Sequence, residues 1–210
     1  AIAALLTTSF TACKKSSPED RLTDWEKKAI KQDTEDITLA KRIAAFRYWK
    51  AVSITTDEPV DLYKKGATKD LFAQRPPHQA DYILEVEYAR IGKQPQLNYT
   101  ITFGQKHIEY QEEKIKKDEY LLNEEDKKPK KEKKDSFQFT AIHGTTGKRL
   151  FTFIQPYQEP EYDYGTSNYS IESFEGNVLK VSNFDYYPLK ATVHITFVGS
   201  NEKPVKKKKN

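Results

Sequence analysis

Tyr82-Ile-Leu-Glu-Val-Glu-Tyr-Ala-Arg-Ile-Gly92-Lys-Gln-Pro-Gln-Leu-Asn-Tyr-Thr-Ile-Thr-Phe103 decides the class of this fold. Tyr82, Leu84, Val86 and Tyr88 alternate with Ile83, Glu85, Glu87 and Ala89. Leu97, Tyr99, Ile101 and Phe103 alternate with Asn98, Thr100 and Thr102. A period of two sends neighbouring side chains to opposite faces, so each run reads as a strand with one buried face. Gly92 to Gln96, with Pro95, reads as the turn between them.

The same period recurs downstream. Phe137, Phe139 and Ala141 alternate, Gly144-Thr-Thr-Gly147 turns the chain, and Arg149 to Gln155 returns. That pattern is a hairpin. Tyr169 to Phe174 and Val178 to Asn183 flank Glu175-Gly-Asn177 as a second hairpin. Lys190 to Val198 closes the series, with Ala191, Val193, Ile195 and Phe197 on one side. His107 to Gln111 reads as a short further strand. Seven or eight short strands with frequent turns and no intervening helix predict a mainly β fold, an antiparallel β-sandwich or barrel. With the helical segment ahead of it, the class is α+β.

That helical segment is expected over 18–52. Ser17 suits a helix cap, Pro18 the first helical position, and Glu19 and Asp20 the positive end of the helix. Leu22, Trp25 and Ala29 form one apolar stripe. Ile37, Ala40 and Ala44, beside Leu39, Ile43 and Phe46, form another. Asp33-Thr-Glu-Asp36 breaks or restarts the helix between them. Phe46 to Ile54 either completes the helix or opens the first strand. Trp25 and Trp49 predict that this segment packs against the sheet. Residues 55–80 read as irregular, with single helical turns at Asp61–Tyr63 and Asp70–Ala73. The β-rich domain is expected over 53–200. Its highly charged segment 123–135 cannot offset the entropy of ordering and reads as a mobile loop. Tyr120-Leu-Leu122 just before it is expected to be buried.

The charged fraction is 31% and the hydrophobic fraction 37%, but eleven Phe, thirteen Tyr and two Trp suffice for a core. The five lysines of residues 201–210, against Glu202, account for the whole net charge of +4, so residues 1–200 are neutral. A neutral body with a basic, disordered tail does not carry the folded basic face of a nucleic-acid binder.

Ala1 to Leu6 are apolar, and Thr7 to Ala12 are small or hydroxylated except Phe10. Ala12 directly precedes Cys13, the single cysteine, and Lys14 and Lys15 follow. The stretch resembles a secretory signal, 1–12, ending in the lipobox of bacterial lipoproteins. It departs from that pattern in placing Phe10 where Leu is usual. No basic residue precedes Lys14, so the start of the signal is expected upstream of Ala1. The resemblance implies that Cys13 becomes an acylated N-terminus, that 13–17 is anchor and linker, and that the partner is a lipid bilayer. Lys14, rather than an acid, after the cysteine implies the outer membrane. Two or three acyl chains hold a protein firmly where one does not. Acylation also accounts for a lone thiol in an oxidising compartment. The other readings are an ordinary buried segment with Cys13 a buried thiol, or a signal cut elsewhere.

No motif for catalysis stands out. His78, His107, His143 and His194 have no second His or Cys at ligand spacing, so no metal or other cofactor is expected. Glu85 and Glu87 share a strand face, as an exposed face would have them. Nucleophile elbows, phosphate loops and dinucleotide fingerprints are absent from the sequence. Pro156-Tyr-Gln-Glu-Pro-Glu-Tyr-Asp-Tyr-Gly165 mixes Tyr157, Tyr162 and Tyr164 with acids, and Phe184-Asp-Tyr-Tyr-Pro188 repeats the mixture with Tyr186 and Tyr187. Tyrosines on loops give large contact area at low entropy cost. These five tyrosines are the candidate ligand-binding residues; otherwise their rings fold back on the core. The expectation is a non-enzymatic envelope lipoprotein that binds a partner protein, as part of a secretion or envelope assembly or as an inhibitor or immunity protein. The alternative is a glycan- or peptidoglycan-binding lipoprotein that uses the tyrosine-rich loop.

Overall fold

The computed structural model describes residues 22–92, 94–118, 121–142, 149–152, 168–186 and 191–204. In chain order the elements are α1 (Asp24–Ala44), β1 (Tyr48–Val60), β2 (Thr68–Asp70), α2 (Leu71–Gln74), a 3₁₀ turn (Pro77–Ala80), β3 (Tyr82–Ile91), β4 (Gln94–Phe103), α3 (Gln105–Asp118), β5 (Glu132–Ile142), β6 (Arg149–Thr152), β7 (Asn168–Glu175), β8 (Val178–Tyr186) and β9 (Ala191–Ser200).

The expected antiparallel β architecture is present. Strands β3 to β9 form an up-and-down meander, each paired antiparallel with the next. β1 then pairs with β9 from Tyr48↔Ser200 to Thr56↔Val193, and β2 extends the edge of β1. On its other side β1 meets β3 at only two positions, Tyr48↔Glu85 and Trp49↔Leu84. The sheet therefore curls almost into a ring and stays open along most of the β1–β3 seam.

Its inner face is the core. Ala51 and Ile54 on β1, Leu84 and Val86 on β3, Leu97 and Tyr99 on β4, and Leu179 and Val181 on β8 are buried in one cluster with Val193, Ile195 and Phe197 on β9. β9 alternates strictly between buried and half-buried positions. Register puts Leu179 beside Phe197 and Val181 beside Ile195. Each large aliphatic side chain so buried contributes about 1.5–3 kcal/mol relative to exposure.

α1 starts at Asp24; the helix start expected at Ser17–Pro18 lies outside the described residues. Thr23 is the cap: its hydroxyl accepts from Glu26 N at 3.2 Å, while the Glu26 carboxylate accepts from Thr23 N at 2.7 Å. This reciprocal pair satisfies two free N–H groups at once. The helix does not break at Asp33–Asp36. The Thr34 and Thr38 hydroxyls donate back to the Ile30 and Thr34 carbonyls, and Asp36 is buried on the sheet side. It ends at Ala44 rather than in the fifties, and Tyr48 to Val60 is strand because β9 offers that run a partner.

The second apolar stripe is the one that packs: Ala40 and Ile43 are fully buried, with Leu39, Ala44 and Phe46 against the core. The first is not covered. Trp25 is 76% exposed, contrary to expectation, whereas Trp49 is 2% exposed. Trp49 Nε1 donates to Ile43 O at 3.2 Å, and its ring meets Phe46 and Phe174 edge-on. Arg42 reaches across to Phe174 O at 2.9 Å. The last turns of α1 thus cover one end of the curled sheet.

Five further expectations are corrected. Ile91 already pairs with Gln94, so the chain turns at Gly92 rather than over Gly92–Gln96, and Pro95 sits near the start of β4 opposite Arg90, where a strand tolerates proline. Residues 105–118 are helix, not a strand followed by loop. The charged loop is shorter than 123–135, because Glu132 to Lys134 pair with Thr102 to Thr100 on β4. Backbone pairing to an available edge does not require apolar side chains, and all three are exposed. Leu121 is 69% exposed and Leu122 half-buried, so that segment does not enter the core, and Tyr120 lies outside the described residues. The tail expected over 201–210 begins tied down: Asn201 Oδ1 accepts from Arg47 N at 3.0 Å.

Because the meander alternates, its connections fall at two ends. The turn at Gly92 and the Gly176–Asn177 turn lie at the end where α1 enters and β9 leaves. Gly176 takes a φ of +55°, the left-handed conformation such a turn needs. Asn177 exchanges two 2.8 Å hydrogen bonds with Gly199 there. The connections 61–81, 104–131, 153–167 and 187–190 leave from and return to the opposite end.

Candidate functional site

The described part of that opposite end is built on α3. Gly104 N donates to Asp81 O at 2.7 Å, and Lys106 N donates to Asp81 Oδ2 at 2.8 Å. A carboxylate at a helix N-terminus satisfies free N–H groups and matches the helix dipole. With α3 fixed there, His107 and Tyr110, three residues apart, fall on one face.

Four rings stack along that face. His107 lies on Phe103 with centroids 4.1 Å apart, and His78, from the 3₁₀ turn, lies on Tyr110 at 3.7 Å. The two imidazole centroids are 6.2 Å apart, and His107 Nδ1 is 3.3 Å from His78 O. His78 Nε2 is buried with no hydrogen-bond partner among the described residues. Burial, reinforced by His107 and Lys114, pulls the His78 pKa down to about 4. Burial also lowers that of His107, against the His78 carbonyl and Asp81, which act to raise it.

Both rings are therefore neutral near pH 7, whereas an unfolded histidine titrates near 6.5. The sign follows: between those values the unfolded chain binds more protons, so the junction's stability is full above pH 6.5 and falls as pH drops towards 4. The midpoint of thermal unfolding should fall over that window, and His78→Phe, which keeps the stack without the titration, should flatten the fall. An unchanged slope in the variant would assign the acid sensitivity elsewhere.

Beyond Tyr110 the end carries a cleft of about 410 Å³ between α3 and residues 122–130. Tyr110, Ile115 and Leu122 give it an apolar lining; Lys114, Lys128 and Lys130 stand around it with Asp118 and Asp126. The Gln111 side-chain amide fixes the far wall, donating to Lys130 O at 2.9 Å and accepting from Lys130 N at 2.8 Å. The Lys130 ammonium also reaches Asp126 at 3.6 Å. Such an arrangement can hold an apolar group that bears a negative charge.

The candidates from the sequence divide as follows. Cys13, Tyr157, Tyr162, Tyr164, Tyr187 and His143 lie outside the described residues. Tyr186 holds the last paired position of β8, opposite Ala191, so the backbone of the second acid–aromatic stretch reaches the same end as the cleft. Glu85 is ion-paired with Arg47, and Glu87 is exposed, as a solvated strand face requires. His194 Nδ1 lies 3.0 Å from Glu172 Oε1. Ser182 is opposite His194 in the ladder, but its hydroxyl has no hydrogen bond among the described residues, so no nucleophile–base pair forms there. Among the described residues no three His, Cys, Asp or Glu side chains gather as a metal site, and no helix is long and apolar enough to cross a membrane.

The histidine pair was not foreseen. Its members are 29 residues apart and meet only because η-turn and helix flank the same strand end. A partial signal existed, since Ile108 and Ile115, and His107, Tyr110 and Lys114, recur at helical spacing. A scan of protein-family models gives no match to this chain, and a search of curated proteins gives none either.

Proposed function

We propose that this protein is a bacterial envelope lipoprotein, acylated at Cys13, whose β-rich body is a non-enzymatic module for binding another protein. The observation that carries the reading is the division of the sheet into two unlike ends. The tight turns at Gly92 and at Gly176–Asn177 share one end with the start of α1, the element nearest Cys13 in the chain. The long connections share the other, with α3, its cleft and the strand ends that flank both acid–aromatic stretches. A body tethered at one end meets its partner with loops at the other, as scaffolded binding loops commonly do. The partner surface that suits the cleft is apolar with acidic residues.

Two experiments test the two halves. Cys13→Ser should move the protein expressed from its complete gene from the membrane fraction to the soluble one; unchanged membrane association removes the anchor. A photo-crosslinking residue at Leu121, 69% exposed at the loop end, should capture one protein repeatedly. The same probe at Ile91, 59% exposed beside the tight β3–β4 turn, should not. Capture at Ile91 alone, or at neither, contradicts binding through the loop end.

A further inference from the structure

The apolar stripe of α1 does not stop where the sheet stops covering it. Ile43, Ala40 and Asp36 are the buried positions of the helix. Stepping back along the same face by helical spacing reaches Ala29, Trp25 and Leu22. None of the described side chains from Asp24 to Glu35 is buried. Trp25 is 76% and Ile30, on the neighbouring face, 53% exposed. Lys27, Lys28 and Lys31 alternate there with Asp24, Glu26, Asp33 and Glu35, and Lys31 lies 4.0 Å from Glu35. An exposed Trp amid mixed charge suits the boundary between lipid headgroups and acyl chains, where tryptophan is enriched.

The occupant of this face follows from the chain that precedes it. Nine residues lie between Cys13 and Thr23, the helix cap, so ten Cα–Cα steps join the two. Even fully extended they span at most about 33–36 Å. A short tether holds a second contact at an effective concentration of roughly millimolar, so an interfacial affinity too weak to act alone becomes effective. A protein partner would find the same face, but nothing ties a partner to this distance, whereas an acylated Cys13 ties the bilayer to it.

We infer that the uncovered face of α1, centred on Trp25, rests in the interfacial layer of the bilayer that holds the acylated Cys13. The inference rests on the lipoprotein reading above.

The chain has only two tryptophans, and the other is buried. Iodide in the aqueous phase therefore quenches Trp25 selectively. The acylated full-length chain is reconstituted into vesicles of mixed zwitterionic and anionic phospholipid and floated on a density gradient. In the floated fraction, Trp25 emission should shift to the blue, lose its iodide quenching and become quenched by brominated acyl chains. The same chain in solution at equal concentration should show none of these changes. Flotation with full iodide quenching overturns the inference while leaving the anchor intact. A blue shift without vesicles assigns the face to a second copy of the chain and overturns it as well. Failure to float removes the anchor and the inference together.

Discussion

Trp49→Ala is expected to lower the free energy of unfolding by about 3–5 kcal/mol, the usual cost of truncating a buried tryptophan. The indole is 2% exposed, meets Phe46 and Phe174 with centroids 5.8 and 6.0 Å away, and donates from Nε1 to Ile43 O at 3.2 Å. Gly199 passes so close that a Cβ there would lie 3.0 Å from the indole and 2.7 Å from Phe46. Backbone at Gly199 forms one wall, so the space left by the indole closes only in part. The loss also removes the partner of a carbonyl in the last turn of α1, and so loosens the lid over that end of the sheet. Native stabilities of about 5–15 kcal/mol leave little after such a change. Urea unfolding of Trp49→Ala beside Trp25→Ala is the measurement. Trp25→Ala should stay within about 0.5 kcal/mol of the parent, as surface changes do. Equal effects would mean that Trp25 is covered after all.

Gly104→Ala should be the most damaging small change at the other end, at about 1–3 kcal/mol for a forced overpacking. The new Cβ would fall 2.0 Å from Asp81 Oδ1 and 2.1 Å from its Cγ. Asp81 cannot retreat without giving up its 2.8 Å hydrogen bond from Lys106 N, which caps α3. The expected signature is local: amides of α3 should lose protection from hydrogen exchange before those of β9. Asp81→Ala should recover part of the loss when combined with Gly104→Ala, because it removes the clash; additive losses would show that the two positions do not compete for the space. The cleft and the histidine stack hang on this junction, so a variant that frees α3 should also lose the crosslink expected at Leu121.

Much of the sheet was legible because β-alternation is a local signal. Leu84 and Val86, Leu97, Tyr99 and Ile101, and the row Ala191, Val193, Ile195 and Phe197 were all assigned inward and are buried. The errors fall where local signals compete. Asp33–Asp36 looks like a break, yet α1 runs through it to Ala44. Residues 105–118 carry too few apolar side chains to advertise a helix, and none of them is buried. That helix is held by its capping contact with Asp81 and by His78 on Tyr110, neither of which local pattern reveals. The tyrosines proposed as ligand-binding, and Cys13, rest on the chain's own chemistry.

By itself, then, the sequence determined the period and the buried faces of β3, β4 and β9, the two hairpins and a neutral body ahead of a basic tail. These depend on side chains two to four residues apart, and so on short-range sterics and burial. Only the tertiary structure decided that β1 pairs with β9, that the connections 61–81, 104–131 and 153–167 share one end, that His78 meets His107, and that half of the α1 stripe lacks a cover. Each of those joins residues distant along the chain, and such pairings are chosen by which edges and faces remain unsatisfied once the local elements have formed.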